Sequence, residues 1–176
     1  MAYSNGKTAV ITGAGSGIGR ALAQQLNREG CRTLLCDISE EGLNGTLNSL
    51  SNPSLAGQGR VMDIADKSAV QAWAADIAEQ YGAIDILVNN AGVATGATVE
   101  GSQYGDIEWL MGINFWGVVY GTKEFLPLLK KSPQGHLVNI SSIFGMMSVP
   151  TQTEDYAAKL AVRGYTEALR EEMEGR

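Results

Sequence analysis

Short apolar runs alternate with helical stripes along this chain. Ala9, Val10 and Ile11, closed by Thr12, form the first run, and Ala21-Leu22-Ala23-Gln24-Gln25-Leu26 after it is a helix-forming series. Gly30 stops that helix, and residues 31–37 (CRTLLCD) read as a second strand. Leu43, Leu47 and Leu50 recur at helical spacing in residues 40–50, which Asn52-Pro53 closes. A short third strand follows over residues 58–64. Next comes an amphipathic helix over Lys67–Tyr81, with Val70, Trp73, Ala74 and Ile77 on one face and Gly82 as its stop. Residues 84–88 are apolar except for Asp85, as in a strand buried on both faces of a parallel sheet. A long helix over 106–131 is apolar around much of its circumference, with Pro127 as a site for a kink or an end. Residues 135–142 give a fifth strand and 155–174 a last helix. Strand and helix alternate throughout, so the pattern predicts an α/β domain built on a parallel sheet.

The junction between the first strand and helix carries the first chemistry. Gly13, Gly15, Gly17 and Gly19 crowd into it. A buried strand that turns sharply into a helix needs positive φ and close backbone approach, and glycine supplies both. The first N–H groups of the helix lack intrahelical acceptors and sit at the positive end of its dipole, so this turn can hold a pyrophosphate. Counting G-x-G-x-x-G from Gly13 and Gly15 puts Ile18 at the third glycine, and no Gly-Lys-Ser/Thr closes a phosphate loop. The pattern that fits is Thr-Gly-x-x-x-Gly-x-Gly, on Thr12, Gly13, Gly17 and Gly19. It resembles the nucleotide-binding turn of the short-chain dehydrogenase/reductase family, which implies cofactor contacts from Gly13, Ser16, Gly17, Ile18 and Gly19.

Asp37 ends the second strand, about 20 residues past the glycine turn, where a carboxylate can accept hydrogen bonds from an adenosine ribose. The same carboxylate repels a 2′-phosphate, and neither Ser16 nor Ile38 supplies a compensating cation, so NAD is expected over NADP. The competing role for Asp37, as an N-cap of the next helix, falls equally well to Ser39. The polar pair Asn89-Asn90 stands at the carboxyl end of the fourth strand, where side-chain amides can bridge neighbouring strands, and Ala91-Gly92 leaves room for a flat ring. Asn-Asn-Ala-Gly here is a specific mark of the same family, which implies cofactor contacts at Asn90, Ala91 and Gly92. The resemblance further implies adenine contacts from Asp63 and Ile64, a water and proton relay through Asn114, and a substrate-orienting hydroxyl at Ser142, selected by Ser-x-x-Gly with Gly145 following.

Composition narrows the classes. The chain has 176 residues, 44% hydrophobic and 18% charged, enough for one domain over residues 1–176 with a sizeable core. Net charge is −6 with no basic stripe, which gives a nucleic-acid role no support. No apolar run nears the roughly 20 residues that span a bilayer, and the start MAYSNGK has no signal-peptide layout, so a cytoplasmic protein with no membrane partner is expected. Cys31 and Cys36 read as reduced core thiols without metal-ligand spacing, and His136, the lone histidine, as structural. No metal is expected.

The family's catalytic signature is Tyr-x-x-x-Lys on the last helix, with the tyrosine as acid or base and the lysine supporting it and the nicotinamide ribose. Here the text is Asp155-Tyr156-Ala157-Ala158-Lys159, so only two residues separate Tyr156 from Lys159. Holding Lys159 to Gly164 fixed puts Asp155 at the tyrosine position; the other alignment adds a residue before Tyr156 and loses one after it. Spacings of three and four both put two side chains on one helix face, so geometry allows either. A carboxylate beside a lysine cation is a poor proton donor near neutral pH. Tyr156 and Lys159, with Asn114 and Ser142, are therefore the expected catalytic set, with position 155 as the rival.

Together these features imply a doubly wound parallel sheet of Rossmann type, in three α/β/α layers with strand order 3-2-1-4-5, short at its C-terminal side as though truncated. The implied activity is NAD-dependent hydride transfer between nicotinamide and a secondary alcohol or ketone. The alternative is an NAD-binding chain impaired in turnover, serving as a sensor or partner subunit. The apolar long helix and the last helix suggest a homodimer or homotetramer through a four-helix contact.

Overall fold

The computed structural model describes residues 2–143, 146–147 and 149–174; Gly145 of the expected Ser-x-x-Gly pattern lies outside them. Five parallel strands form one sheet in the order β3-β2-β1-β4-β5. They are β1 (Thr8–Thr12), β2 (Arg32–Asp37), β3 (Arg60–Val61), β4 (Ile86–Asn89) and β5 (His136–Asn139). Helices α1 (Gly17–Arg28), α2 (Glu40–Asn48), α3 (Lys67–Tyr81), α4 (Tyr104–Met111), α5 (Gly117–Leu129) and α6 (Thr153–Glu174) cover the sheet on both sides. The order reverses between β1 and β4. The crossover connections on either side of that point proceed outward in opposite directions, which opens a crevice at the carboxyl ends of the strands.

Period-two alternation survives inside the buried strands. Val10, Leu34, Cys36 and Leu87 face α3 and α5, where Val70, Trp73, Ile77, Phe125 and Leu128 complete one cluster. Ala9, Ile11, Leu35, Ile86 and Val88 face the other way, onto Ala23 and Leu43 of α1 and α2. Trp73 and Phe125 meet edge-on with ring centroids 5.2 Å apart, a favoured aromatic geometry. Both cysteines are free and buried, and burial pushes the Cys31 thiol up to about 12 and raises Cys36 as well.

Three elements differ from the sequence expectation. The third strand is only Arg60–Val61, because it pairs with β2 solely at Cys36 and Asp37. The fifth strand keeps only the His136–Asn139 core of its expected span, where it pairs with β4. The long helix expected over 106–131 is two helices joined by a π-helical stretch, Gly112–Trp116, with Pro127 inside α5. A π turn inserts a residue and rotates the following helix, a local strain often found at functional sites. Here it carries Asn114 into the fully buried interior.

Candidate active site

The turn between β1 and α1 is the floor of the crevice. Gly13 and Gly17 take positive φ of 64° and 49°, conformations that side-chain-bearing residues seldom adopt. Ser16 occupies the N-cap of α1 without a side-chain cap bond, so the first-turn N–H groups stay directed at the crevice. Thr12 ties the turn down: its Oγ1 accepts N–H groups from Asn90 and Ala91, both at 3.0 Å. Asn90 returns the contact, donating from Nδ2 to the carbonyls of Thr12 (2.9 Å) and Gly13 (3.1 Å). Toward β5, Asn89 Nδ2 donates to Asn139 Oδ1 at 2.8 Å and to Thr122 Oγ1 at 3.1 Å. The two asparagines thus bind β1, β4 and β5 together at their carboxyl ends.

A cleft of about 700 Å³ runs along that edge. Gly13, Ser16, Gly17 and Ile18 line it at the turn, Asp37 and Ile38 at β2, and Asp63 and Ile64 beyond β3. Asn90, Ala91 and Gly92 form its middle, and Ser142, Asp155 and Lys159 its far end. Gly19 sits just below, packed so closely on the Gly13 carbonyl and the Asn90 amide that no Cβ fits. Asp37 accepts N–H groups from Gly15 (2.7 Å) and Ser39 (2.9 Å), while Ser39 caps α2 through its own hydroxyl. Asp63 accepts from the Ala65 N–H at 2.8 Å.

At the far end, buried Asn114 holds the chain after β4. Its Oδ1 accepts from the Val93 N–H and its Nδ2 donates to the Val93 carbonyl, both at 2.8 Å. The same Nδ2 donates to Asp155 Oδ1 at 3.0 Å. Lys159 Nζ donates to the Ile140 carbonyl at 3.4 Å and lies against Gly92 beside Asn114. Burial pushes the Lys159 ammonium down, opposed by the Asp155 carboxylate. Position 155, four residues before Lys159, is therefore the one that bonds Asn114 and whose charge acts on the lysine.

Tyr156 stands elsewhere. It is half-buried and absent from the cleft lining, whereas Asp155 is only 4% exposed and lines it. The rival position, Asp155, thus lines the cleft where Tyr156 does not, and the reason is helix phase. Asp155, Ala158, Val162 and Leu169 form the buried stripe of α6, at spacings of three, four and seven, and Tyr156 lies about 100° around the axis from Asp155. Extending the apolar stripe of α6 back by one turn in the sequence would have pointed to Asp155.

Two further residues escaped the sequence reading. Arg20 donates from Nη2 to the carbonyls of Gly15 and Gly42 and from Nε to Thr46 Oγ1 at 2.9 Å. Buried Thr46 donates to the Ala14 carbonyl at 2.7 Å. No spacing rule links an arginine in α1 to a threonine in α2. Among the described residues no helix is long and apolar enough to cross a membrane, and no cluster of three or more potential metal ligands occurs.

A family model described as short chain dehydrogenase matches residues 7–176. The putative oxidoreductase SadH of Mycobacterium tuberculosis is 46% identical over 173 residues, covering 98% of this chain and 63% of that protein. Dehydrogenase/reductase SDR family member 7B of Xenopus tropicalis is 35% identical, covering 98% of this chain and 58% of that protein. A short chain dehydrogenase/reductase from Burkholderia phymatum, solved in complex with NAD, superposes with a TM-score of 0.89 at 36% identity, covering 96% of this chain and 60% of that one. The chain thus spans about three-fifths of the length of these relatives.

Proposed function

The chain belongs to the short-chain dehydrogenase/reductase family, and on that premise we propose that its cleft binds NAD(H) and supports hydride transfer between the nicotinamide and a secondary alcohol or ketone. The observation that carries this reading is the continuous cleft from Asp37, over the open first turn of α1, to Lys159. The residues present suit a dinucleotide. N–H groups at a helix N-terminus suit its pyrophosphate, the Asp37 carboxylate suits the adenosine ribose, and Asp63 and Ile64 suit the adenine. Bound there, the cofactor supplies or accepts the hydride, and Asp37 favours NAD over NADP.

Each residue at the far end then has a task. The Ser142 hydroxyl orients the substrate oxygen. Lys159 binds the nicotinamide ribose and carries positive charge beside the substrate oxygen. Asn114, bonded to both the Val93 peptide and Asp155, holds the wall of the cleft and the position 155 side chain in register. Proton exchange falls to position 155. An aspartate there offers a carboxyl in place of the phenol of the family signature. That observation favours a second reading beside the first: a chain that binds NAD(H) well and turns over slowly.

Both readings share one test. NADH titrated into the protein should enhance or transfer its fluorescence with a dissociation constant in roughly the micromolar range. A panel of secondary alcohols and ketones, followed at the absorbance of the reduced cofactor, then separates turnover from binding alone. Failure of both NADH and NADPH to bind would remove the dinucleotide reading.

Assembly is the second expectation. Phe115 and Trp116 of the π-helical stretch, Tyr120 of α5 and Tyr165 of α6 pack as a chain of aromatic pairs, and Trp109 and Trp116 remain 49% and 47% exposed beside it. Apolar surface of this kind suits a second copy, giving a dimer or tetramer through α4, α5 and α6. Sedimentation at micromolar concentration should give at least a dimer; a monomer throughout would exclude this contact.

A further inference from the structure

Asp37 does not hold its own orientation; the glycine turn holds it. One carboxylate oxygen accepts from the Gly15 N–H and the other from the Ser39 N–H. A Cβ on Gly15 would fall 2.6 Å from the Asp37 carboxyl carbon, so the glycine lets the two groups meet. The Gly15 N–H belongs to the same planar peptide unit as the Ala14 carbonyl, and in a trans peptide the two point in opposite directions. That carbonyl is fixed by the hydroxyl of fully buried Thr46. The next carbonyl, that of Gly15, is fixed by Arg20, whose guanidinium also grips the Gly42 carbonyl and Thr46 Oγ1. Tilting the peptide at Gly15 would therefore break contacts to Thr46 and Arg20 before it could release Asp37.

We propose that Arg20 and Thr46 are positioning residues for Asp37: through the peptide groups flanking Gly15 they lock its carboxylate toward the adenosine ribose and so set the preference for NAD over its 2′-phosphorylated counterpart. This rests on the reading of Asp37 as the ribose acceptor. Each carboxylate oxygen has about two acceptor sites, of which a backbone N–H takes one, and the remaining sites are left for the ribose hydroxyls. A carboxylate pinned at both oxygens cannot swing aside for a 2′-phosphate, whereas one released from the Gly15 N–H can. Arg20 is suited to the task because a guanidinium offers several donors in a rigid fork, which a lysine lacks.

The test compares Kd for NADH and for NADPH in the unaltered protein and in Asp37→Ala, Arg20→Lys and Thr46→Val, together with Arg20→Lys and Thr46→Val each combined with Asp37→Ala. Melting temperatures are recorded beside them. The readout is the ratio of the two constants. Asp37→Ala should collapse it by about tenfold or more, as expected for losing hydrogen bonds to a charged group. Arg20→Lys and Thr46→Val should each lower it by about threefold to tenfold, and neither should lower it further once Asp37 is alanine, the signature of action through that residue. Equal weakening of both cofactors with an unchanged ratio would make the pair structural only and overturn the inference. An unchanged ratio in Asp37→Ala would instead overturn the ribose reading itself, and the inference with it. Thr46→Val preserves side-chain shape and keeps the test available should Arg20→Lys fold poorly.

Discussion

Asp155→Tyr should raise turnover by about 100-fold or more, within the range that a positioned acid or base contributes. The site is ready for a phenol at that point. Position 155 faces the cleft, Asn114 Nδ2 reaches it at 3.0 Å, and Lys159 follows four residues later on the same face of α6. A tyrosine beside the lysine cation has its pKa lowered toward neutrality, so it can both give and take a proton. Tyr156→Phe, in contrast, should leave turnover within about twofold, because that ring lies about 100° away around the helix. The measurement is steady-state oxidation of NADH with the best ketone of the panel, with NADH affinity taken separately. A gain in turnover at unchanged affinity assigns proton exchange to position 155. Loss of all turnover in Tyr156→Phe, with none gained in Asp155→Tyr, would return the role to Tyr156 and require α6 to rotate.

Gly19→Ala should strongly weaken cofactor binding, while Gly17→Ala should weaken it far less. At Gly19 an added Cβ would overlap the Gly13 carbonyl and approach Asn90 Nδ2 to 2.6 Å, and backbone at the tightest point of the turn cannot yield cheaply. Forced overpacking of this kind costs about 1–3 kcal/mol, which for a domain of this size lowers the melting temperature by roughly 2–10 °C. The same displacement pulls the α1 N-terminus off the phosphate position, so NADH affinity should fall by about 30-fold or more. At Gly17 an added Cβ meets nothing within 4 Å, and only the positive φ of 49° opposes it, at about 1–2 kcal/mol. Paired melting curves and NADH titrations check both. Equal effects on NADH affinity in the two variants would mean that the Gly13–Gly19 contact does not govern the turn.

Much of the fold is written locally. Short apolar runs and helical stripes fix the alternation of strand and helix, and the apolar run at 84–88, broken only by Asp85, announces β4 as a central strand of a parallel sheet. The reason is that each signal concerns residues a few positions apart, whose backbone geometry and burial are decided together. The glycine turn is local in the same sense: Gly13 and Gly17 need positive φ whatever surrounds them. So is the presence of a carboxylate at the end of β2, since the strand itself delivers Asp37 to the crevice.

What only the tertiary structure decided are questions of phase and of long-range contact. The spacing of Tyr156 and Lys159 allows two alignments, and the packing of Ala158, Val162 and Leu169 turns Asp155 inward, which the spacing alone does not show. The π-helical stretch at Gly112–Trp116 left no mark in the helical spacing of the sequence, yet it sets the depth of Asn114 and with it the bond to Asp155. Arg20 and Thr46 lie 26 positions apart and meet only because α1 and α2 pack side by side on one face of the sheet. Sequence periodicity determined which elements form and which face they bury. Rotation about each helix axis, and the partners each side chain then finds, follow from packing among all the elements at once, and that is where the chemistry of the cleft was settled.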